Sequence, residues 1–193
     1  RPPPPVAGAT ENAYDRRRLM IYPFFRSLLF HLEPEVAHSL SLAAIAKIGG
    51  VPGLRETVAS VYSVKTSEPV EAFGIRFPNR VGLAAGYDKD GDGWRGLACL
   101  GFGHIEVGTV TPAPQPGNPK PRVFRLIEER SIINRMGFNN GGVLEAAERL
   151  KVPHKVLIGG NIGKNKVTPN DQAESDYLYC LRELYPYVDY FVV

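Results

Sequence analysis

The spacing of apolar positions changes period along the chain. From Leu19 to about Gly50 it is helical: LMIYPFFRSLLFHL is strongly apolar, interrupted by Pro23 and Arg26, and Val36, Ala37, Leu40, Ala43, Ala44 and Ile48 form a second stripe. Pro34 opens that second stripe and Gly49-Gly50 stops it, so the pattern predicts two short amphipathic helices in hairpin order. A turn-rich, polar stretch then reads as a linker, and PVEAFGIRFPNR as a hairpin around Gly74. Beyond it, short apolar runs alternate with helical patterns. VGLAA (81–85), IEVGTV (105–110), VLIGGNI (156–162) and YFVV (190–193) predict strands. GDGWRGLACLG, VLEAAERL and DQAESDYLYCLRELYPY predict helices, and a long proline-rich loop follows the second strand.

Short, fully apolar strands alternating with helices predict an α/β fold with a parallel sheet covered by helices. A Rossmann sheet and a TIM barrel share that order. No GxGxxG opens a helix here, whereas the strands end in polar loops (AAGYDKDG, GTVTP and GNIGKNK), which favours the (β/α)8 TIM barrel. Such barrels take about 250 residues, so four strands correspond to the first half of one. The expected organisation is a lead-in over 1–18, a helical domain over 19–60, and the first half of a barrel over 61–193. Because the chain stops within an apolar run at DYFVV, it is expected to be part of a longer protein.

Composition narrows the function. With 44% hydrophobic and 22% charged residues the chain is globular, and a formal net charge of +3 with basic residues scattered, apart from Arg16 to Arg18, argues against a nucleic-acid partner. Cys99 and Cys180 are far apart and match neither a disulfide framework nor a zinc site, and no metal is expected. A membrane span needs roughly 20 apolar residues, which the first helix lacks. Two readings of the helix pair stay open: a membrane-surface element with Arg16 to Arg18 at anionic head groups, or a cap packed on the main domain.

In a TIM barrel the C-terminal strand ends converge on one mouth. Ala84, Ala85 and Gly86 would then let a flat ligand lie on backbone, with Lys89, Thr109 and Asn161 beside it and the loop NRMGFNN (134–140) reaching over. There is no Ser-His-Asp set, no HExxH, no pair of strand-end carboxylates and no histidine cluster. One cation among many neutral amides suits a planar heterocycle with a negative group, and leaves the hard chemistry to a cofactor. Taken singly, Lys89 reads as a solvated lysine, Thr109 and Asn161 as loop residues bonded to backbone, His38 as a packing residue and Arg125 as a salt-bridge partner.

The motifs GLAAGYDKDG, GFGHIEVGTVTPAPQPGNPKPRVFRL, INRMGFNN and GGNIGKNK resemble the dihydroorotate dehydrogenase family and are spread over residues 82–166. The helix pair and PRVFRL resemble its membrane-associated, quinone-linked class 2. This resemblance implies a barrel that binds FMN and oxidises (S)-dihydroorotate to orotate, the fourth step of de novo pyrimidine synthesis, passing electrons to ubiquinone or menaquinone. It implies flavin contacts from Ala85, Gly86, Lys89, Thr109 and Asn161. Substrate contacts are implied for Lys89, Asn134, Arg135, Met136, Gly137 and Phe138, and a quinone tunnel lined by His38 and Arg125. It further implies a serine base and a flavin phosphate site beyond Val193, so that the chain alone would be inactive, within a monomer held peripherally at a bacterial or mitochondrial inner membrane. The competing expectations are a soluble class 1 enzyme or another FMN-dependent barrel, and a non-catalytic membrane-surface module.

Overall fold

The structure, a computed structural model, describes residues 23–62, 64 and 68–193. The lead-in over 1–18 and the Arg16 to Arg18 cluster lie outside the described residues. The chain divides into two compact units, Arg1–Ala37 and His38–Val193.

In the first unit residues 23–30 are helical (α1), with Phe24, Phe25 and Leu28 exposed. The guanidinium of Arg26 stacks 4.5 Å from the centroid of Phe30, a cation–π contact that lets the charge sit among apolar neighbours. The next helix, α2 (Pro34–Gly50), starts in this unit and continues in the second. Its start is built by Glu33, whose carboxylate accepts the free backbone N–H groups of Glu35 and Val36, each at 3.0 Å, while Pro34 fills the first helical position, where no N–H is needed.

In the second unit the stretch read as a linker contains a helix, α3 (Pro52–Tyr62). The Pro-Gly start suggests a turn, but proline also fits a first helical turn, and α3 buries no residue, so its apolar spacing leaves no stripe to detect. The hairpin around Gly74 is present as β1 (Val70–Ala72) and β2 (Ile75–Phe77). Four strands, β3 (Gly82–Leu83), β4 (His104–Val110), β7 (Leu157–Ile162) and β8 (Tyr190–Val192), form a sheet in that order, with all neighbours parallel. The proline-rich excursion after β4 is not wholly loop: β5 (Val123–Leu126) and β6 (Ser131–Asn134) pair antiparallel within it.

The short helix α4 (Trp94–Leu97), α5 (Val143–Leu150) and α6 (Ala173–Leu184) follow β3, the excursion and β7. One face of the sheet meets them. Ile105, Val107, Val110, Ile158 and Ile162 pack with Leu97, Val143, Ala146, Leu150, Cys180 and Leu184 into one buried cluster. The strands are therefore apolar on one side rather than both: His104, Glu106 and Tyr190 alternate onto the other face, where the Tyr190 hydroxyl donates to Glu106 at 3.3 Å. Burial and the adjacent Glu106 carboxylate raise the Tyr190 pKa, so this hydroxyl keeps its proton.

Close approach fixes α2 against α4. A Cβ on Gly96 would fall 1.9 Å from the carbonyl oxygen of Ile45, so only glycine fits. Alanine helix propensity gains about 1 kcal/mol over glycine, less than the overlap costs when backbone must move. Gly96→Ala is expected to lower stability by about 1–3 kcal/mol, read as a lowered urea midpoint; an unchanged midpoint would show that the two helices are not in contact.

Candidate active site

The rim is assembled where β3, β4 and β7 end. After β3 the chain stays small, and Gly86 takes φ +106°, a conformation open to glycine. Its N–H donates to the Gly108 carbonyl at 2.8 Å, and the Gly108 N–H returns to the Asp88 carbonyl at 3.2 Å. The Ala85 N–H donates to Glu106 at 3.2 Å. Three bonds thus fasten the first loop to β4.

The end of β4 is fastened to β7 in turn. The Thr109 hydroxyl donates to the Asn161 side-chain oxygen, and the Gly163 N–H donates to the Val110 carbonyl at 2.9 Å. Gly108 makes this approach possible, because a Cβ there would lie 2.2 Å from the Asn161 carbonyl oxygen. The register between β4 and β7 shifts between Val107 and Val110, and the two residues freed from regular pairing are Gly108 and Thr109.

Asp88 and Lys89 split in role. Asp88 is fully buried and accepts the N–H groups of Asp92 at 2.8 Å and Gly93 at 2.9 Å, which shapes the DKDGDG turn. Burial pushes its pKa up to about 6, against the lowering effect of those bonds. Lys89 points the other way and donates to the Asn139 side-chain oxygen at 2.7 Å. Asp90, its pKa raised by burial, accepts the Gly141 N–H at 2.7 Å. The first loop is thereby joined to the end of NRMGFNN as well.

That segment leaves β6 at Asn134, which is exposed and accepts the Met136 N–H at 3.4 Å. Arg135 is exposed, with its guanidinium on the Pro121 carbonyl at 3.1 Å. Asn118 holds the turn by donating its amide to the Arg135 carbonyl at 2.7 Å and its backbone N–H to Met136 at 3.0 Å. Gly137 and Phe138 both have positive φ, +74° and +53°, and the Phe138 ring stands 60% exposed. A concavity of about 660 Å³ is lined by Thr109, Asn161, Gly137, Phe138, Lys164 and Tyr177, among others.

The structure therefore brings Thr109, Asn161, Gly137 and Phe138 to one hollow, ties Ala85 and Gly86 to the same strand ends, and joins Lys89 to the segment through Asn139. Asn134, Arg135 and Met136 do not line that hollow. His38 meets the first loop instead: its Nε2 is 2.7 Å from the Tyr87 carbonyl and its ring stands edge-on to Tyr87 at 5.0 Å. Arg125 lies on β5 opposite Ile132.

Sequence reasoning missed the buried polar residues beneath the rim. Thr111, Asn140 and Asn165 are 0%, 8% and 6% exposed. The Asn140 amide donates to the Thr111 hydroxyl at 2.9 Å and its oxygen accepts the Gly142 N–H at 2.8 Å; the Asn165 amide donates to the same hydroxyl at 3.1 Å and its oxygen accepts the Ala113 N–H at 2.9 Å. Their letters stand inside the quoted motifs, but nothing in a motif tells an amide that faces a ligand from one that faces the core.

Parallel strands whose carboxyl ends carry small residues and amides, with Lys164 and Lys166 lining the same hollow, define a partial (β/α)8 barrel. The profile of the family described as dihydroorotate dehydrogenase matches residues 68–193, and the chain belongs to that family. Among curated relatives, dihydroorotate dehydrogenase (quinone) of Teredinibacter turnerae is 52% identical over 174 residues, 90% of this chain and 50% of the relative. That of Christiangramia forsetii is 51% identical over 90% of this chain and 52% of the relative. The chain thus spans about half the length of the curated relatives it matches. Among solved structures, DHODH from Eimeria tenella in complex with ferulenol is 37% identical, with a TM-score of 0.69 over 82% of this chain and 43% of that one.

Asp88 gives the site a pH signature. Its folded pKa of about 6 lies above the ordinary 3.8, so its contribution to stability is complete below about pH 4 and is lost as pH rises through about 6. Asp88→Asn cannot lose it. The stability of this variant relative to the unsubstituted protein is expected to rise between about pH 4 and 6 and to level off above 7, measured by urea unfolding; parallel pH curves would place Asp88 in solvent.

Proposed function

We propose that the whole protein is an FMN-dependent dihydroorotate dehydrogenase that oxidises (S)-dihydroorotate to orotate and passes the electrons to a membrane quinone. What supports this above all is the joining of Thr109 to Asn161 over a bare Gly108, in a chain of this family, at a hollow that also takes Gly137 and Phe138. The residues fit a flavin: a Cβ on Gly86 would meet nothing within 4 Å, so open backbone follows Ala84 and Ala85, and the hollow combines the neutral donors and acceptors of Thr109 and Asn161 with the positive charge of Lys164 and Lys166, which suits an anionic planar group. Ala85, Gly86, Thr109, Asn161 and Lys89 would hold it. Bound there, it would supply the acceptor for hydride from the substrate.

The chain's own residues bind, orient and shield. Lys89 brings a positive charge toward the substrate carboxylate and toward negative charge that grows during the transfer, which is electrostatic preorganisation rather than proton transfer. Its bond to Asn139 fixes the ammonium at the edge of the 134–138 segment. Asn134 to Phe138 are assigned to the amide-like edges of the ring, Gly137 and Phe138 from the lining of the hollow and Asn134, Arg135 and Met136 from the stretch of chain leading to it, in the one orientation that pairs donors with acceptors. Phe138, exposed at the edge of the hollow, would cover the ring and exclude water.

We assign residues 19–60 to quinone access, with His38 and Arg125 beside the path, and 61–193 to the flavin barrel. The exposed Phe24, Phe25 and Leu28 suit the surface of a bilayer. No helix among the described residues is long and apolar enough to cross a membrane. The enzyme acts as a monomer at that surface.

The test uses the full-length protein. It is expected to be yellow, to bleach with dihydroorotate, and to turn over with a quinone analogue but not with fumarate or NAD; the opposite acceptor preference would make it a class 1 enzyme. Lys89→Ala is expected to cut flavin reduction by dihydroorotate at least a hundredfold, in line with loss of an electrostatic contact at the reacting centre. Near-normal reduction would remove Lys89 from the chemistry.

A further inference from the structure

We propose that Gln115 is a positioning residue that holds the substrate segment at the height set by the loop following β7. The inference rests on the reading of residues 134–138 as the substrate segment. Gln115 lies in the proline-rich excursion, one turn past the end of β4, and each of its polar groups is engaged. Its backbone exchanges two bonds with Asn140, at 3.0 Å and 3.1 Å. Its side-chain amide donates to the Phe138 carbonyl at 3.1 Å. Its side-chain oxygen accepts from the Lys166 N–H at 3.0 Å and from the Asn165 amide at 3.1 Å.

One side chain therefore spans two loops. Its acceptor end is committed to residues 165–166, the loop that follows Asn161 on β7, and its donor end to Phe138. Phe138 needs such a hold. With φ +53° it occupies the left-handed region that non-glycine residues seldom adopt, and such a conformation persists only where surrounding bonds over-determine it. Two amide groups supply them at the same carbonyl, Gln115 and Asn140, the latter at 2.8 Å.

Polarity decides what Gln115 can do. It has one donor group and one acceptor oxygen, and the two ends face partners of opposite kind, a carbonyl and two N–H groups. A glutamate keeps the acceptor and loses the donor; an alanine loses both. Asn140 still holds the Phe138 carbonyl in either variant, so the segment is loosened rather than freed. The expected loss is that of one neutral hydrogen bond, about tenfold.

The experiment measures flavin content, the KM and kcat of flavin reduction by dihydroorotate, and orotate affinity, in full-length Gln115→Ala and Gln115→Glu. Both are expected to retain flavin, to raise KM and the orotate Kd about tenfold, and to leave kcat within about threefold. Equal loss of flavin and orotate binding would show a merely structural role and overturn the proposal, as would a glutamate variant that binds orotate like the unsubstituted protein. A full-length protein whose flavin dihydroorotate cannot bleach sinks the functional reading and Gln115's role with it. A bleachable protein whose variants keep their KM sinks the positioning role alone.

Discussion

Two neighbouring strands can carry a shared site only if their ends approach closely enough for side chains on both to meet, and here that approach depends on a missing Cβ. Gly108 lies against the Asn161 backbone where any side chain would collide. In the space so gained, the Thr109 hydroxyl reaches the Asn161 amide. The first loop is fixed to the same point by the pair of bonds that Gly86 and Asp88 exchange with Gly108. The loops after β3 and β7 become one rim because each is bonded to the backbone of β4, and the 134–140 segment joins it through Lys89 and Asp90.

Beneath that rim lies a second layer with different chemistry. Thr111, Asn140 and Asn165 are buried, and the cost of burying amides is offset only when their groups are paired. The bonds described above pair them with each other and with backbone. The outcome is directional: an apolar core would fill the same space, but it would not fix the angle at which residues 134–138 leave the sheet. Asp88 does similar work for the first loop, and it does so at the expense of a carboxyl group whose pKa is raised by its burial.

The fold was legible where burial is one-sided. β4, β7, α5 and α6 each bury a continuous face, so their apolar spacing announces them, and the polar strand-end loops pointed to a barrel, in agreement with the family match and the solved structures. α3 and the β5–β6 hairpin escaped because neither buries such a face: α3 has no buried residue, and all of β6 is exposed. Ala85, Gly86, Lys89, Thr109 and Asn161 stood out only as a set, because the strand-end loops that carry them converge in a barrel, whereas each taken singly has a structural reading. Asn140, Asn165 and Gln115 did not, since what distinguishes them is the direction of their amides, and direction is set by tertiary contacts that no short window contains.

The central claim is that Thr109 and Asn161 act as one unit toward a flat ligand. A double-mutant cycle with Thr109→Val and Asn161→Ala in the full-length protein, read as FMN affinity, tests it most directly. The account predicts that each single substitution weakens binding about tenfold and that the double variant is little worse than either one. Losses that simply multiply, or flavin binding indifferent to both changes, would contradict it.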